Sequence, residues 1–195
     1  MTECLKSYST KHMLENPSLI EKAMRVAVRA HQGQTRKESD LPYISHPFMV
    51  AFKLSKYDFP DTVVAAALVH DVLEDTDVST DVLREELGEE VLRIVTSVTN
   101  DDSLSWDEKK MKYVETVRSA SEAAKAVATA DKVHNLESLI IAYQEKGVDI
   151  WKNFNRGKEK KIWFEEEMLK MLKSTWQHPL VDEYEKLLTE LKRIS

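Results

Sequence analysis

The sequence predicts an all-α fold, and three observations support this prediction. Apolar residues recur at helical spacing along almost the whole chain, as they do on the buried face of a helix. No stretch of the sequence has the sustained alternation of apolar and polar residues that is typical of a β-strand. The 195 residues include only 4 glycines and 5 prolines, which argues against a turn-rich fold. We therefore expect a single-domain helical bundle over residues 1–195.

Capping residues mark the helix ends in the first half of the chain. An N-cap side chain accepts a backbone N–H of the first turn, proline fits the first helical position, and glycine ends a helix without strain. The polar stretch 33–45 is expected to be irregular. The predicted helices are one opened by Asn16-Pro17 and ending near His31, one beginning at Pro47, one over 61–74, and a short one capped by Ser79 or Thr80 and ending at Gly88.

The second half of the chain carries similar signals. Ser105 and Glu108 have the spacing of a capping box, in which each side chain accepts the other residue's backbone N–H. We expect the core to span about 17–175, followed by a C-terminal helix over about 179–193. The predicted helices are one from Ser105 to about Arg118, a long one from Ser121 to Gly147, one through Trp163 and Met168, and a last one that begins at His178-Pro179 and buries Val181, Tyr184, Leu188 and Leu191.

Composition and charge restrict the possible partners. The chain has 28 Lys and Arg against 34 Asp and Glu, a net charge of −6 without a long basic run, which argues against binding to duplex nucleic acid. No apolar stretch reaches the ~18 residues that span a membrane, and the first residues lack a signal-peptide pattern. The single cysteine, Cys4, fits a reducing compartment. We expect a cytoplasmic protein with no membrane partner, and the sequence predicts no oligomeric state.

Ionisable residues end the apolar helix that is predicted over 61–74. Asp71, Glu74 and Asp75 place three carboxylates at a helix C-terminus, where the helix dipole disfavours negative charge. A bound cation would resolve this conflict. The spacing of four residues puts His70 with Glu74 on one face and Asp71 with Asp75 on the adjoining face, so that both pairs can line one cavity. His70 and Asp71 can bind the same ion only if the last turn is irregular.

Two further residues complete a candidate metal site. His46 precedes Pro47 at a helix start, where the backbone is rigid. Asp131 lies among small apolar residues on a helix that should be buried, and a buried aspartate is rare unless it is paired or bound to metal. With His70 and Asp71, these residues offer two nitrogen and two oxygen ligands, a set that suits Mn²⁺ or a similar divalent ion. Water in the remaining positions would leave the site open for catalysis.

Several motifs occur in order along the chain: His46-Pro47, His70-Asp71, Glu74-Asp75-Thr76 and Ala130-Asp131-Lys132-Val133-His134-Asn135. Together they resemble the HD-type metal-dependent phosphohydrolases, which implies a helical bundle of the HD-domain type. The segments 30–37 (AHQGQTRK) and 42–47 (PYISHP) are similar, more narrowly, to the hydrolase domain of RelA/SpoT enzymes and to stand-alone small alarmone hydrolases. The likeness runs from about Leu19 to Leu172 and leaves no room for a synthetase domain.

The resemblance implies an enzyme that acts on a small-molecule nucleotide. The implied reaction is the Mn²⁺-dependent removal of the 3′-pyrophosphate of (p)ppGpp, which leaves GDP or GTP. The positions of the metal ligands are taken by His46, His70, Asp71 and Asp131.

The resemblance also implies roles for residues outside the metal centre. Glu74 and Asp75 take the places of the catalytic pair that activates or orients the attacking water. Arg36 and Lys37 match the basic pair where the family places its substrate, and Asn135 matches an asparagine that contacts the nucleotide.

Two positions depart from the family pattern. Ala128 stands where the family commonly has a lysine, three residues before the distal aspartate, and this affects a supporting ion pair. Trp163-Phe164 stands where an aromatic pair is often rich in tyrosine, and this affects substrate contacts. Neither departure falls on a proposed metal ligand.

Other functions are compatible with the same residues. An HD phosphohydrolase could act on a different nucleotide, such as NADPH or a nucleoside phosphate. A non-catalytic regulator could retain the metal and the nucleotide without turnover, although Glu74 and Asp75 argue against this. A purely helical scaffold would carry no stoichiometric metal.

Overall fold

A computed structural model describes residues 17–37, 39–101 and 103–194. Within these ranges the chain is helical, and the only β-type pairing is an isolated antiparallel bridge between Thr35 and Pro42. The predicted all-α class is therefore confirmed. The helices are α1 (Leu19–Ala30), α2 (Ser45–Lys56), α3 (Asp61–Leu68), α4 (Val72–Asp75), α5 (Thr80–Leu87), α6 (Glu89–Thr96), α7 (Trp106–Ser119), α8 (Glu122–Lys146), a 3-10 helix (Gly147–Asn153), α9 (Gly157–Thr175) and α10 (Pro179–Ile194).

Helix α8 is the centre of the bundle. It packs against α2, α3, α6, α7 and α10. Its first half is rich in small residues, among them Ala126, Ala128 and Ala130, which are at most 1% exposed. Small side chains let neighbouring helices approach closely on several sides. This packing buries the middle of α8, where Asp131 lies.

Local capping chemistry explains most of the predicted helix ends. The Ser79 hydroxyl accepts the backbone N–H of Val82, so Ser79 rather than Thr80 is the cap of α5. The capping box at Ser105 is present, and the Ser121 hydroxyl caps α8. Gly147 ends α8 with a φ of 60°, a conformation that glycine adopts more easily than other residues. These predicted ends are confirmed.

Other helix boundaries differ from the prediction. Helix α1 is capped by Ser18, whose hydroxyl accepts the Glu21 backbone N–H. The predicted cap, Asn16, lies outside the described residues, as does Cys4. Helix α2 begins at Ser45 instead of Pro47, which places His46 inside its first turn. Helix α6 and the 3-10 helix were not among the predicted elements, and α6 starts directly after the chain turns at Gly88, which has a φ of 86°.

The predicted helix over 61–74 is interrupted, and this is the most consequential difference. Helix α3 ends at Leu68, and residues 69–71 form a turn before the short helix α4. The His70 imidazole Nδ1 lies 2.8 Å from the Ala67 carbonyl oxygen. That carbonyl would accept the Asp71 backbone N–H if the helix continued. The histidine side chain thus replaces a backbone hydrogen bond at the point where the helix breaks.

None of the helices in the described ranges is both long enough and apolar enough to cross a bilayer.

Candidate active site

The four residues predicted as metal ligands lie together in the structure. His46 comes from α2, His70 and Asp71 from the turn between α3 and α4, and Asp131 from α8. One ligand atom each from His46, His70 and Asp131 lies within 4.8 Å of the others, and all three residues are buried. Asp71 Oδ2 lies 3.2 Å from His70 Nε2 and 3.6 Å from His46 Nε2. The broken helix allows adjacent residues 70 and 71 to face the same centre.

Hydrogen bonds fix both imidazole rings with Nε2 towards this centre. His70 is held through Nδ1 by the Ala67 carbonyl, and His46 Nδ1 lies 2.7 Å from His134 Nδ1. His46 Nε2 lies 3.0 Å from Asp131 Oδ1. His70 Nε2 is buried and makes no hydrogen bond to the protein, which is costly for a polar atom. An unsatisfied imidazole nitrogen beside two carboxylates fits a divalent metal ion.

The charges of the site also favour a bound cation. Burial opposes the ionisation of Asp71, but His70 and His46 outweigh it and hold the pKa of Asp71 below its usual value. Burial likewise opposes the ionisation of Asp131, yet the adjacent Lys132 ammonium lowers its pKa well below the usual range. Burial disfavours a proton on His70, but the two carboxylates raise its pKa. Both carboxylates are thus ready to act as ligands, and the field at His70 favours positive charge.

Glu74 and Asp75 line the same cavity as the four-residue centre, but each is held by a different partner. Both Glu74 carboxylate oxygens accept hydrogen bonds from Asn100, through its side-chain amide at 2.8 and 3.0 Å and its backbone N–H at 3.1 Å. Asp75 Oδ2 lies 3.0 Å from the Tyr43 hydroxyl. The expectation that the two i, i+4 pairs line one cavity is confirmed. The prediction of a continuous helix, on which that expectation was based, is wrong.

Tyr43 connects the four-residue centre with Asp75. Its hydroxyl donates to Asp71 Oδ2 at 2.6 Å and also lies close to Asp75. Burial and the Asp71 carboxylate raise the pKa of Tyr43, so the hydroxyl stays protonated and remains a donor. Neither Tyr43 nor Asn100 is among the site residues predicted from the sequence. Tyr43 stands in the PYISHP segment, which was the available signal, whereas nothing in the sequence pointed to Asn100.

The basic loop, which carries Arg36 and Lys37, reaches the four-residue centre through a chain of hydrogen bonds. Arg36 Nη2 donates to Asn135 Oδ1 at 3.0 Å, and Asn135 Nδ2 donates to Asp131 Oδ1 at 2.5 Å. The Lys37 carbonyl accepts a hydrogen bond from Asn153 at 3.1 Å. Arg36, Lys37 and Asn135 all line the cavity, which has a volume of about 1000 Å³. The three residues predicted to bind substrate therefore lie in the same cavity as the predicted ligands.

The two departures from the family pattern also lie near this cavity. Ala128 lies at the cavity wall, where its methyl group is 1% exposed. Phe164 is buried and lines the cavity, whereas Trp163 packs on Trp106 with a distance of 6.1 Å between ring centroids. The cavity wall at these positions is therefore apolar.

The HD domain family (HD_4) matches residues 23–159, a region that contains all the candidate site residues described above. The chain belongs to the HD domain family. Proteins of this family with hydrolase activity depend on metal, in agreement with the buried His/His/Asp group of this HD domain protein.

Named relatives come from animals and bacteria. The HD domain protein is 41% identical over 128 residues to human guanosine-3′,5′-bis(diphosphate) 3′-pyrophosphohydrolase MESH1, an alignment that covers 64% of this chain and 71% of the human protein. It is 36% identical over 126 residues to guanosine-3′,5′-bis(diphosphate) 3′-pyrophosphohydrolase of Borreliella burgdorferi, which covers 62% of this chain and 19% of that protein.

Solved structures show the same fold. A metazoan SpoT orthologue, described as hydrolysing ppGpp, superimposes with a TM-score of 0.74 at 26% identity and covers 90% of this chain and 97% of its own. A Listeria monocytogenes protein superimposes with a TM-score of 0.69 at 34% identity and covers 77% of this chain and 95% of its own. The predicted bundle of the HD-domain type is therefore confirmed.

Proposed function

We propose that this protein removes the 3′-pyrophosphate of guanosine tetraphosphate and pentaphosphate, leaving GDP and GTP, with Mn²⁺ as its metal ion. The main support is the convergence of His46, His70, Asp71 and Asp131 in one cavity with two further carboxylates and a basic loop. The names of the human and Borreliella burgdorferi relatives add support for this substrate.

The proposed metal site uses two imidazoles and two carboxylates. His46 and His70 present Nε2, while Asp71 and Asp131 are held ionised by their surroundings. A divalent ion bound by these residues would supply Lewis acidity and increase the acidity of water. Asn135 and Lys132 hold the two oxygens of Asp131 in place, which orients this ligand.

The proposed chemistry is hydrolysis of a phosphate ester. The oxygen of a water molecule bonds to the phosphorus attached to the ribose 3′-oxygen, the bond between that phosphorus and O3′ breaks, and O3′ takes up a proton. Glu74 and Asp75 orient the attacking water and accept its proton. Asn100 keeps Glu74 directed into the cavity, and Tyr43 does the same for Asp75.

The proposed substrate contacts begin at the loop before α2. Arg36 is held by Asn135, and the guanidinium carbon lies 5.6 Å from the centre of the Tyr43 ring, so its position is defined from two sides. A guanidinium in this position suits a phosphate group of the nucleotide. Lys37 adds a second positive charge to the same part of the cavity.

The test is a substrate screen with product identification. Purified protein with Mn²⁺ should release pyrophosphate from ppGpp and leave GDP. Hydrolysis of NADPH or a nucleoside phosphate, without hydrolysis of ppGpp, would refute the substrate but retain the reaction class. Nucleotide binding without any turnover would indicate a regulator instead.

Variants of the two acids separate catalysis from metal binding. Glu74→Gln and Asp75→Asn should abolish hydrolysis while elemental analysis finds an unchanged metal content, because neither residue belongs to the proposed ligand set. Lys112→Gln, an exposed change on α7, is the control. Unchanged rates in both acid variants would remove these residues from the mechanism.

A further inference from the structure

Three lysines from three helices line the cavity in addition to the loop that carries Arg36 and Lys37. Lys110 lies on α7, Lys132 on α8 and Lys161 on α9, and all three line the cavity. The Lys110 ammonium lies 4.8 Å from the centre of the Phe164 ring, and the Lys132 ammonium lies 5.3 Å from the same point. We name these three residues the lysine cluster.

The lysines differ in how their charges are compensated. Lys132 donates to Asp131 Oδ2 at 2.9 Å, and Lys161 donates to the buried Glu165 at 2.5 Å. Among the described residues, no carboxylate lies within ion-pair distance of the Lys110 ammonium, which contacts the face of Phe164 instead. Burial and the neighbouring Lys132 lower the pKa of Lys110 to about 8, although the more distant Glu74 carboxylate opposes this shift. A half-buried ammonium with no carboxylate in ion-pair contact is costly to a fold unless a ligand supplies the negative charge.

The position of the cluster indicates which part of a ligand it would meet. The two oxygens of Asp131 have different neighbours: Oδ1 contacts His46 and Asn135, which in turn binds Arg36, whereas Oδ2 contacts Lys132. The basic loop is therefore connected to one carboxylate oxygen of Asp131, and the lysine cluster to the other. Lys132 contacts Asp131 directly and shares the Phe164 ring with Lys110, so the cluster lies next to the position where the reacting phosphorus would be held.

We propose that the lysine cluster binds the terminal phosphate of the diphosphate group that is cleaved, with Lys110 as the residue whose charge this phosphate compensates. This inference rests on the proposed function for the identity of the substrate. Two linked phosphates can span the centre and the cluster, whereas a single phosphate at the centre leaves Lys110 without its partner. The cluster is therefore a specificity site that favours diphosphate esters over monophosphate esters.

Binding of inorganic pyrophosphate tests the site without turnover. Calorimetry on metal-free protein, with inorganic phosphate as the comparison ligand, avoids chelation of the metal by the probe. We expect the wild-type protein to bind pyrophosphate more tightly than phosphate, and Lys110→Gln to weaken pyrophosphate binding at least about tenfold. Lys110→Arg should retain most of the affinity, because it keeps the charge. Lys112→Gln, an exposed change on the same helix, should leave it unchanged.

Kinetics on two nucleotides provide the second measurement. The ratio of kcat/KM for guanosine 5′-diphosphate 3′-diphosphate to that for guanosine 5′-diphosphate 3′-monophosphate should fall at least about tenfold in Lys110→Gln and remain near the wild-type value in Lys110→Arg. An unchanged ratio together with unchanged pyrophosphate binding would refute the subsite while leaving the proposed function intact. Pyrophosphate binding that depends on Lys110, in a protein that does not hydrolyse ppGpp, would support the subsite and refute the proposed function.

Discussion

Tyr184→Phe tests how the C-terminal helix is attached to the wall of the cavity. The Tyr184 hydroxyl is fully buried and donates to Glu165 Oε2, while the other oxygen of this carboxylate accepts from Lys161 at 2.5 Å. Glu165 is itself 0% exposed, so water cannot replace the lost hydroxyl. The substitution removes one of two hydrogen bonds to a buried charge and leaves the ring packing intact.

The size of the effect follows from this arrangement. A hydrogen bond to a charged group contributes about 1.5–3 kcal/mol, and a buried acceptor left without a donor places the loss towards the upper end. For a chain of this length, each kcal/mol changes the melting temperature by roughly 2–4 °C. We therefore expect Tyr184→Phe to lower the free energy of unfolding by about 2–3 kcal/mol and the melting temperature by roughly 4–12 °C.

A matched control is available on the surface. The Tyr57 hydroxyl also donates to a glutamate, Glu183, but at 3.4 Å and from an exposed position. Tyr57→Phe should change the free energy of unfolding by less than about 0.5 kcal/mol. Urea denaturation and thermal melts of both variants measure the difference. If Tyr184→Phe is as stable as Tyr57→Phe, the buried hydrogen bond does not hold α10 in place and the reasoning is refuted.

Three further predictions concern the cavity. Asn100→Ala should lower kcat about tenfold or more by releasing Glu74, with an unchanged Mn²⁺ content by elemental analysis, and an unaltered kcat would contradict the positioning role. Mn²⁺ at about 100 times its Kd should raise the free energy of unfolding by about 2.7 kcal/mol in the wild-type protein and far less in Asp131→Asn, whereas equal stabilisation in melts would place the ion elsewhere. Since burial and Lys132 lower the pKa of Lys110 to about 8, this side chain loses its charge above that pH. Pyrophosphate affinity by calorimetry should therefore fall between about pH 7 and about pH 9.5, and parallel profiles for wild type and Lys110→Arg would contradict this.

Helix ends, and the unusual position of Asp131 among apolar residues, can be predicted from the sequence because they depend on residues close together in the chain. Ser105 and Ser121 cap their helices through backbone groups within one turn, and Gly147 ends α8 through its own backbone conformation. Asp131 is conspicuous because its neighbours in the chain are small and apolar. The metal-ligand candidates followed from such local signals, together with their resemblance to ordered motifs.

Three features of the site could not be predicted from such local signals, because they depend on the tertiary structure. The helix break at Leu68 depends on the His70 side chain replacing a backbone hydrogen bond, although the pattern of apolar residues continues through it. Glu74 meets Asn100 only because the chain returns 26 residues later. The lysine cluster is assembled from three helices. Charges that are far apart in the chain become one electrostatic site only when packing brings them together and removes the water between them. The sequence therefore indicated the candidate ligands, while the packing decided what surrounds them.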